Sequence, residues 1–218
     1  MENINIKSMD FEIPSDVLEQ IQQNIEDIIR NFDIPDANKT DVIKKINFMY
    51  SSTIHMSVTD PLTKLYNRRH FESNFEREYM RAKRYNSPLS LAIVDIDFFK
   101  KFNDTNGHSC GDYVLRELAY NMLQNFRQTD MVFRYGGEEF AVILTETPAE
   151  TAVVPLERLR KLVENYNFKF RGQDLKVTVS IGVSSNTEFE TPWEMFDDAD
   201  KALYESKKNG RNRVSSAG

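Results

Sequence analysis

The stretch that decides the fold is F-R-Y-G-G-E-E-F, residues 133–140. Strand-forming residues flank two glycines, and this pattern predicts a tight β-hairpin whose turn requires a positive φ at both Gly136 and Gly137. Hairpin chemistry does not require the two carboxylates that come next, Glu138 and Glu139. Because glycine has no side chain, another molecule can approach this backbone closely while the carboxylates reach over it. The alternative interpretation is a solvated hairpin tip with ordinary surface acids, so the rest of the chain must decide.

The composition is typical of a soluble globular protein, with 218 residues, a net charge of −6 and 40% hydrophobic residues. This charge, without a local basic patch, argues against binding to a nucleic-acid polymer. No apolar run approaches the length of a membrane span, and residues 1–13 lack the apolar core of a signal peptide. Since Cys110 is the single cysteine, it can form no internal disulfide, and we expect a cytoplasmic protein.

Two amphipathic helices are predicted in residues 1–57. Apolar positions recur in steps of three and four in both, as in a heptad pattern. They are Leu18, Ile21, Ile25, Ile28 and Phe32 in the first helix (residues 15–32), and Val42, Ile46, Met49, Thr53 and Met56 in the second. A hairpin of two short helices buries too little surface alone. We favour contact with the hairpin of a second copy, which makes this a dimerisation or signal-input region; packing on its own chain is the alternative.

Residues 58–218 are predicted to form the main domain, which begins near the turn T-D-P-L-T, where Pro61 keeps Asp60 out of the helical conformation. The patterns predict helices at 68–85, 98–103, 111–126, 149–166 (interrupted or restarted at Pro155) and 193–208, and strands at 89–97, 131–135, 140–144, 175–183 and 213–214. Helices interleaved with strands around one hairpin predict an α/β fold with a mixed sheet flanked by helices.

Two acids, Asp95 and Asp97, close a strand that is otherwise apolar. A carboxylate at the end of a buried strand is costly unless it is paired, solvated or bound to a cation. Asp97 can cap the following helix, but this leaves Asp95 unexplained. If the hairpin abuts this strand, Asp95 and Glu138 form a hard-oxygen site suited to Mg²⁺. The N–H groups of the helix start would then seat phosphate beside the metal, as nucleotidyl transfer requires, at Phe98, Phe99 and Lys100.

Six motifs in register then give the domain a family resemblance. They are D-P-L-T-K-L-Y-N-R-R (60–69), D-I-D-F-F-K-K-F-N-D (95–104), N-G-H-S-C-G-D (106–112), R-Y-G-G-E-E-F (134–140), V-S-I-G-V (179–183) and Y-E-S-K-K-N-G-R-N (204–212). On these motifs residues 59–215 resemble the GGDEF family of diguanylate cyclases, which join two GTP molecules into cyclic di-GMP, each domain holding one GTP. The resemblance implies the palm-like fold of nucleotide cyclases and polymerases.

The resemblance also implies residue roles. Asp95, Glu138 and the carbonyl of Ile96 match the ligands of Mg²⁺ (or Mn²⁺), while Glu139 lies near the attacking 3′-hydroxyl or supports Glu138; Asp95, Glu138 and Glu139 are the candidate catalytic residues. The positions that match GTP contacts are Phe98, Phe99, Lys100, Asn103, His108, Asp112, Gly136, Gly137, Lys207 and Arg211.

Four of these GTP contacts have more specific roles in the family, and each has a structural alternative. Asn103 and Asp112 match the residues that read guanine, whose edge an amide and a carboxylate can pair with. Lys207 and Arg211 match the cations that hold the β- and γ-phosphates. Without the resemblance, Asn103 could be a helix C-cap, Asp112 an N-cap, and the two cations an ordinary basic helix end.

The segment R-Q-T-D, residues 127–130, resembles the R-x-x-D product-inhibition site of the family. There an arginine, here Arg127, reads the guanine edge through a bidentate pair of hydrogen bonds, and Asp130 is the acid of the motif. Arg158 falls at the position of a second arginine contact. The alternative is a surface ion pair, worth at most about 1 kcal/mol.

These observations predict a Mg²⁺-dependent diguanylate cyclase that acts as a homodimer on GTP and is inhibited by its product, cyclic di-GMP. The dimer follows because each domain holds one GTP and two must face each other. One alternative is a catalytically silent GGDEF domain that serves as a receptor for cyclic di-GMP, which is disfavoured because no required side chain is missing. The other is an enzyme with an adenine-containing product, against which Asp112 argues.

Overall fold

The computed structural model describes residues 41–42, 44–46, 49, 56–186 and 189–216. Contacts divide the chain into two units, Met1–Val58 and Thr59–Gly218. The described residues of the first unit are helical, as predicted for the second amphipathic helix. The predicted helix at 15–32 lies outside the described residues, as does Thr53. In the described part of the chain, no helix is both long enough and apolar enough to cross a membrane.

The second unit alternates strands and helices. Its described elements, in chain order, are β1 (Tyr66–Asn67), α1 (Arg68–Tyr85), β2 (Leu89–Ile96), α2 (Phe99–Asn106), α3 (His108–Asn125), β3 (Met131–Arg134), β4 (Glu139–Thr145), α4 (Ala149–Asn165), β5 (Phe168–Phe170), β6 (Gln173–Leu175), β7 (Val179–Ser185), α5 (Pro192–Lys208) and β8 (Val214–Ser216).

The strands form a mixed sheet in the order β1-β3-β4-β2-β7-β8, and β5 pairs with β6 in a separate hairpin. The central pairs are antiparallel, whereas β1 lies parallel to β3 and β8 parallel to β7. All eight residues of the central strand β2 are buried, so both faces of the sheet are covered there. The predicted α/β class, with a mixed sheet flanked by helices, is confirmed.

Helices α1 and α5 cover one face of the sheet. Their apolar side chains pack on alternate residues of β2, β3 and β4 in a core of Phe71, Phe75, Tyr79, Ala82, Leu89, Leu91, Ile93, Phe133, Ala141, Ile143, Met195, Ala199 and Leu203. Helix α4 contacts β2, β7 and β8, and α3 packs against α4. Alternation along a strand continues the α1–α5 face to Asp95 and Glu139, which therefore lie at the edge of this core.

Gly182 sets the distance between α5 and the sheet. A Cβ at this position would lie 2.1 Å from the backbone nitrogen of Leu203 and 2.2 Å from the carbonyl oxygen of Ala199. The hydroxyl of Ser206 donates a hydrogen bond of 2.8 Å to the carbonyl of Ile181 on the same strand. The helix therefore rests directly on β7, which brings its last turn, and Lys207, to the end of β2.

Two predicted elements differ from the observed ones. The strand predicted at 175–183 is divided, because β6 ends at Leu175 in the small hairpin and β7 begins at Val179 in the main sheet. The helix expected to break at Pro155 is continuous. Proline cannot donate a backbone hydrogen bond, but the Pro155 carbonyl accepts one of 3.0 Å from Asn125 Nδ2, which ties this turn to α3.

The hairpin turn is wider than predicted. Strand β3 ends at Arg134 and β4 begins at Glu139, so four residues connect them, and neither Gly136 nor Gly137 has a positive φ. The predicted requirement for left-handed glycines was wrong, because the wider turn closes through the N–H groups of Tyr135 and Gly136, which donate to the Glu139 carbonyl at 2.9 and 3.0 Å. A side chain at Gly136 would instead displace the Glu139 carboxylate, because a Cβ there would lie 2.6 Å from Glu139 Oε2.

Candidate active site

The predicted carboxylates meet where β2 ends. The antiparallel register of β2 and β4 places Asp95 directly opposite Glu139. Directly opposite residues carry their side chains on the same face, within a few ångströms of one another. The backbone N–H of Ile96 donates to the carbonyl of Glu138 at 3.4 Å, which brings this residue to the same place. The hairpin therefore abuts the acidic strand end, as the sequence predicted.

A lysine from α5 completes this cluster. Lys207 Nζ lies 2.8 Å from Asp95 Oδ2, and the side chains of Lys207 and Asp95 are 32% and 6% exposed. The resemblance matched Lys207 to a phosphate-binding cation, whereas here its ammonium neutralises a carboxylate. The site thus already holds one positive charge against its buried acid.

Burial sets the electrostatics of the two candidate ligands. It raises the pKa of Asp95, an effect that the hydrogen bond and charge of Lys207 oppose. Burial also raises the pKa of Glu138, and the negative charge of Asp95 raises it further. Carboxylates whose negative charge is disfavoured in this way gain most from a bound cation. The donor set of Asp95, Glu138 and the Ile96 carbonyl therefore fits a hard divalent ion.

This donor set is small. Within the described residues, no three or more His, Cys, Asp and Glu side chains are grouped closely enough to hold a metal ion. Two carboxylates and one carbonyl would leave the remaining positions of a six-coordinate ion to water or phosphate oxygens, which is the usual state of Mg²⁺ in nucleotide-processing sites.

Asp97 does not cap the next helix. Helix α2 begins at Phe99, and its N-cap is Phe98, which has a φ of 57° and makes no side-chain capping bond. With the chain turned in this way, the Asp97 carboxylate points towards β7. There it accepts hydrogen bonds from Thr178 Oγ1 at 2.7 Å and Ser180 Oγ at 2.6 Å. The capping alternative was wrong, and both acids of the strand end are engaged elsewhere.

The residues of the predicted phosphate seat lie together. Phe98 is 62% exposed and Phe99 is buried, while Lys100 is exposed in the first turn of α2. The guanidinium of Arg211 stacks over the Phe98 ring, 4.2 Å from its centroid. One candidate phosphate-binding cation therefore lies at the start of α2, and the other, Lys207, lies on Asp95.

The predicted base-reading residues flank the junction of α2 and α3. Asn103 lies inside α2 and Asp112 inside α3, so the helix-cap alternatives for both were wrong; His108 is the exposed first residue of α3. Asn103 Oδ1 is one of two buried side-chain oxygens among the described residues that lack a hydrogen-bond partner. A Cβ on Gly111 would lie 1.9 Å from this oxygen. An unsatisfied buried acceptor is costly, which fits a role in binding a donor such as guanine.

Sequence reasoning missed the residues that hold the glycine turn. The guanidinium of Arg134 contacts both carboxylate oxygens of Asp60, at 3.0 and 3.1 Å. It also donates to the carbonyls of Gly136 at 3.2 Å and Gly137 at 2.8 Å. Both residues lie in quoted motifs, but they are 74 positions apart. The parallel pairing of β1 with β3 sets Asn67 opposite Arg134, and the turn before β1, closed by the bond from Asp60 N–H to the Leu65 carbonyl, brings Asp60 to the same place. Strands as short as β1 carry no periodic signal.

The predicted product-inhibition residues lie apart from these carboxylates in the sequence and in their contacts. The backbone N–H of Arg127 donates to Asp130 Oδ2 at 2.9 Å, and burial raises the pKa of Asp130. Asp130 Oδ1 is the second unpartnered buried oxygen among the described side chains. Arg127 lines a cavity of about 340 Å³ together with Arg81 from α1. Arg81 was not among the predicted site residues. Arg158 instead donates to the side chain and carbonyl of Asn125.

Comparison with known proteins agrees with this fold. Residues 57–213 match the family model described as diguanylate cyclase, GGDEF domain. Diguanylate cyclase A of Treponema denticola is 43% identical over 169 residues, 75% of this chain and 45% of that protein. Diguanylate cyclase DosC of Escherichia coli is 42% identical over 156 residues, 71% of this chain and 34% of that protein. The chain thus spans less than half the length of these relatives.

A solved structure gives the same result. The GGDEF domain of DgcB from Caulobacter crescentus, determined in complex with c-di-GMP, is 39% identical and superposes with a TM-score of 0.72 over 74% of this chain and 93% of that one. The chain belongs to the GGDEF family, and the predicted family membership is confirmed.

Proposed function

We propose that this chain is a diguanylate cyclase that condenses two GTP into cyclic di-GMP with release of two pyrophosphates. The observation that carries the proposal is the convergence of Asp95, Glu138 and Glu139 beside Gly136, Gly137 and the start of α2. Carboxylates for a metal, backbone N–H groups for phosphate and open backbone for close approach are the parts of a nucleotidyl-transfer site. The relatives that bear the same activity in their names support this function.

Asp95, Glu138 and the Ile96 carbonyl would hold Mg²⁺ or Mn²⁺, whose Lewis acidity, when the ion is bound, polarises the α-phosphate and favours the ionised 3′-hydroxyl. Glu139 faces Asp95 across the ladder and would orient the attacking hydroxyl or support Glu138. Lys207 and Arg211 would bind the β- and γ-phosphates and stabilise the charge of the departing pyrophosphate. For Lys207 this role requires that its ammonium turn from Asp95 towards the nucleotide.

Asn103 and Asp112 would select guanine. The free Oδ1 of Asn103 can accept from a guanine N–H group, and the exposed carboxylate of Asp112 can accept from another. Adenine presents an acceptor at N1 where guanine has a donor, so these acceptors would disfavour ATP. His108 is the first residue of α3, the helix that also carries Asp112, and would contact the nucleotide.

Because one domain would bind one GTP, we propose that two chains face each other in a homodimer. The heptad pattern of residues 1–57 supports this assembly, as does the exposure of its methionines, since Met49 and Met56 are 68% and 70% exposed. We further propose that cyclic di-GMP inhibits the enzyme at Arg127 and Asp130, where the partnerless Asp130 oxygen and a neighbouring guanidinium offer an acceptor and a donor to a guanine edge.

One assay separates this function from its alternatives. Incubation with Mg²⁺ and labelled GTP or ATP, followed by chromatography, should yield cyclic di-GMP from GTP and nothing from ATP. Binding of cyclic di-GMP without turnover would instead support a catalytically silent receptor, and a labelled product from ATP would support an adenine-containing product.

A further inference from the structure

Asp97 is the buried carboxylate that the proposed reaction does not use. It is 7% exposed and accepts hydrogen bonds from Thr178, Ser180 and the backbone N–H of Asn212, the last at 3.1 Å. One side chain thus ties the end of β2 to the start of β7 and to the segment of residues 209–213. That segment connects α5 to β8 and carries Arg211.

The segment has an unusual backbone. Gly210, Arg211 and Asn212 follow one another with φ values of 110°, 63° and 48°. Apart from glycine, only Asn and Asp adopt this left-handed conformation readily, so Arg211 in particular needs surroundings that hold it. Backbone hydrogen bonds fix this segment at both ends. Arg211 N–H donates to the Ser206 carbonyl of α5, and the Ile181 N–H of β7 donates to the Arg213 carbonyl, each at 2.9 Å. Between them, the bond at Asn212 comes from Asp97.

The side chain of Asn212 is held as well. Arg160 donates to its Oδ1 at 2.9 Å, and its Nδ2 donates to Glu164 at 2.7 Å. Asn212 is therefore fixed from α4 through its side chain and from β2 through its backbone. The neighbouring side chain, Arg211, is left to stack on Phe98, the residue that directly follows Asp97.

We propose that Asp97 is a positioning residue that acts through Asn212 to hold the Arg211 guanidinium where a nucleotide triphosphate needs it. The inference rests on the proposed function, because Arg211 has this role only if the site binds GTP. Asp97 itself touches no substrate. It keeps the left-handed segment in one conformation before the nucleotide binds. The free energy of binding is then not reduced by the cost of ordering this segment.

The test is Asp97→Ser, whose shorter side chain removes the oxygen that accepts from the Asn212 N–H. Asp97→Asn is the matched control, because its amide can turn its oxygen to the Asn212 N–H and Thr178 and its NH₂ group to the Ser180 hydroxyl, which can accept. With Mg²⁺ present, affinity for α,β-methylene GTP should fall about tenfold in Asp97→Ser, the usual effect of losing one hydrogen bond to a charged group, and should be nearly unchanged in Asp97→Asn. Affinity for GMP, which has no β- or γ-phosphate, should be unchanged.

A double-mutant cycle shows whether the effect passes through Arg211. In the Arg211→Ala background, Asp97→Ser should have almost no further effect on binding of the analogue. Thr178→Val removes a different bond from the same carboxylate and should keep the preference for triphosphate. If Asp97→Ser does not fold, Asp97→Ala removes the Asn212 bond without leaving a buried hydroxyl.

Three results would overturn the inference. Asp97→Ser could weaken the binding of both nucleotides equally, it could leave binding of the analogue unchanged, or it could weaken that binding as much in the Arg211→Ala background as in the parent. A parent protein that binds neither nucleotide would overturn the proposed function with it. A parent that binds the analogue, alongside an Asp97→Ser variant that binds it equally well, would overturn this inference alone.

Discussion

Lys207 and Asp95 form an ion pair in which the ammonium lies 2.8 Å from the carboxylate, at the place where the metal ligands are proposed. The pair joins the last turn of α5 to the end of β2. Because Lys207 is partly exposed, its ammonium can turn to water or phosphate when Asp95 is changed or occupied. Loss of the Asp95 charge should therefore affect chemistry far more than stability.

We expect Asp95→Asn and Glu138→Gln to abolish turnover of GTP while the fold survives. Each change removes a negative charge from the proposed donor set and keeps the shape of the side chain. Product formation and thermal unfolding should be measured together. Asp104→Asn, an exposed amide replacement on α2, is the control and should keep full activity. Retention of more than a few per cent of activity by either variant would refute the assigned ligands.

The pair of Asp60 and Arg134 should make stability depend on pH. Burial alone would raise the pKa of Asp60, but hydrogen bonds from Thr63 and Arg134 outweigh it and hold the pKa below its ordinary value of 3.8. The folded state thus favours the ionised form, and this stability is present above pH 3.8 and is lost as the pH falls through the lowered pKa.

Asp60→Asn should accordingly lower the free energy of unfolding by about 1–3 kcal/mol at pH 7. Urea unfolding over a pH series should show the difference from the parent shrinking as the medium becomes more acidic than the ordinary carboxyl pKa. Asp174→Asn, at an exposed position of β6, should show no such difference. A constant difference at every pH would mean that the charge of Asp60 does not contribute.

The two glycines of the turn should fail in different ways when replaced by alanine. At Gly136 the new methyl group would collide with the Glu139 carboxylate, which is the end of a flexible side chain, so the fold should survive while Glu139 is displaced and turnover falls. At Gly137 a methyl group meets nothing within 4 Å in the protein, so any loss of activity should appear as a raised KM for GTP. Steady-state kinetics of both variants would separate these effects. An unchanged kcat in Gly136→Ala would contradict the role of Glu139.

Arg127→Ala should relieve inhibition by cyclic di-GMP and leave the initial rate intact. Arg127 lines the cavity described above, and its backbone N–H donates to Asp130, whereas neither Asp95 nor Glu138 lines that cavity. Initial rates at increasing product concentration provide the measurement, with Arg116→Ala, an exposed arginine of α3, as the control. If parent and variant are inhibited equally, the inhibitory site lies elsewhere.

The proposed dimer predicts that replacing Ile25 and Ile46 with Asp gives monomers. Burial of one such side chain contributes about 1.5–3 kcal/mol, so two charges in the contact should outweigh a micromolar association. Size measurement should show monomers, and specific activity should collapse at low enzyme concentration and rise steeply with it. Lys45→Asp, at an exposed position of the same helix, is the control. A monomer that keeps full activity at nanomolar concentration would show that these helices are not the dimer contact.

Long periodic segments were predictable, and short ones were not. The stripe of Phe71, Phe75 and Tyr79 predicted α1 with its observed bounds, because an amphipathic helix repeats its signal over several turns. Strand β1 and the β5–β6 hairpin have two or three residues per strand, too few for a periodic pattern, and were missed. Glycines in the central turn suggested a two-residue connection because the sequence does not show how many residues leave the ladder.

The site was predictable where neighbours in the sheet define it. Asp95 could be predicted because it ends an otherwise apolar strand, and Glu138 because it follows a hairpin turn that pairs with this strand. The bond between Asp97 and Asn212 joins residues 115 positions apart, and it depends on a left-handed segment that no propensity predicts. Local patterns thus locate the carboxylates, whereas tertiary packing decides which of them bind ligands and which hold the framework.

Gly182 makes one part of this site inseparable from the fold. If the proposed ligands are correct, exchange of Asp95 or Glu138 should leave a folded chain without activity, so activity could be lost by a single substitution while the fold remains. A side chain at Gly182 would press on the backbone of α5, and the helix would have to leave β7, taking Lys207 with it. No silent but intact descendant is reachable by that route. We therefore expect natural variation to erode the carboxylates long before it touches this glycine.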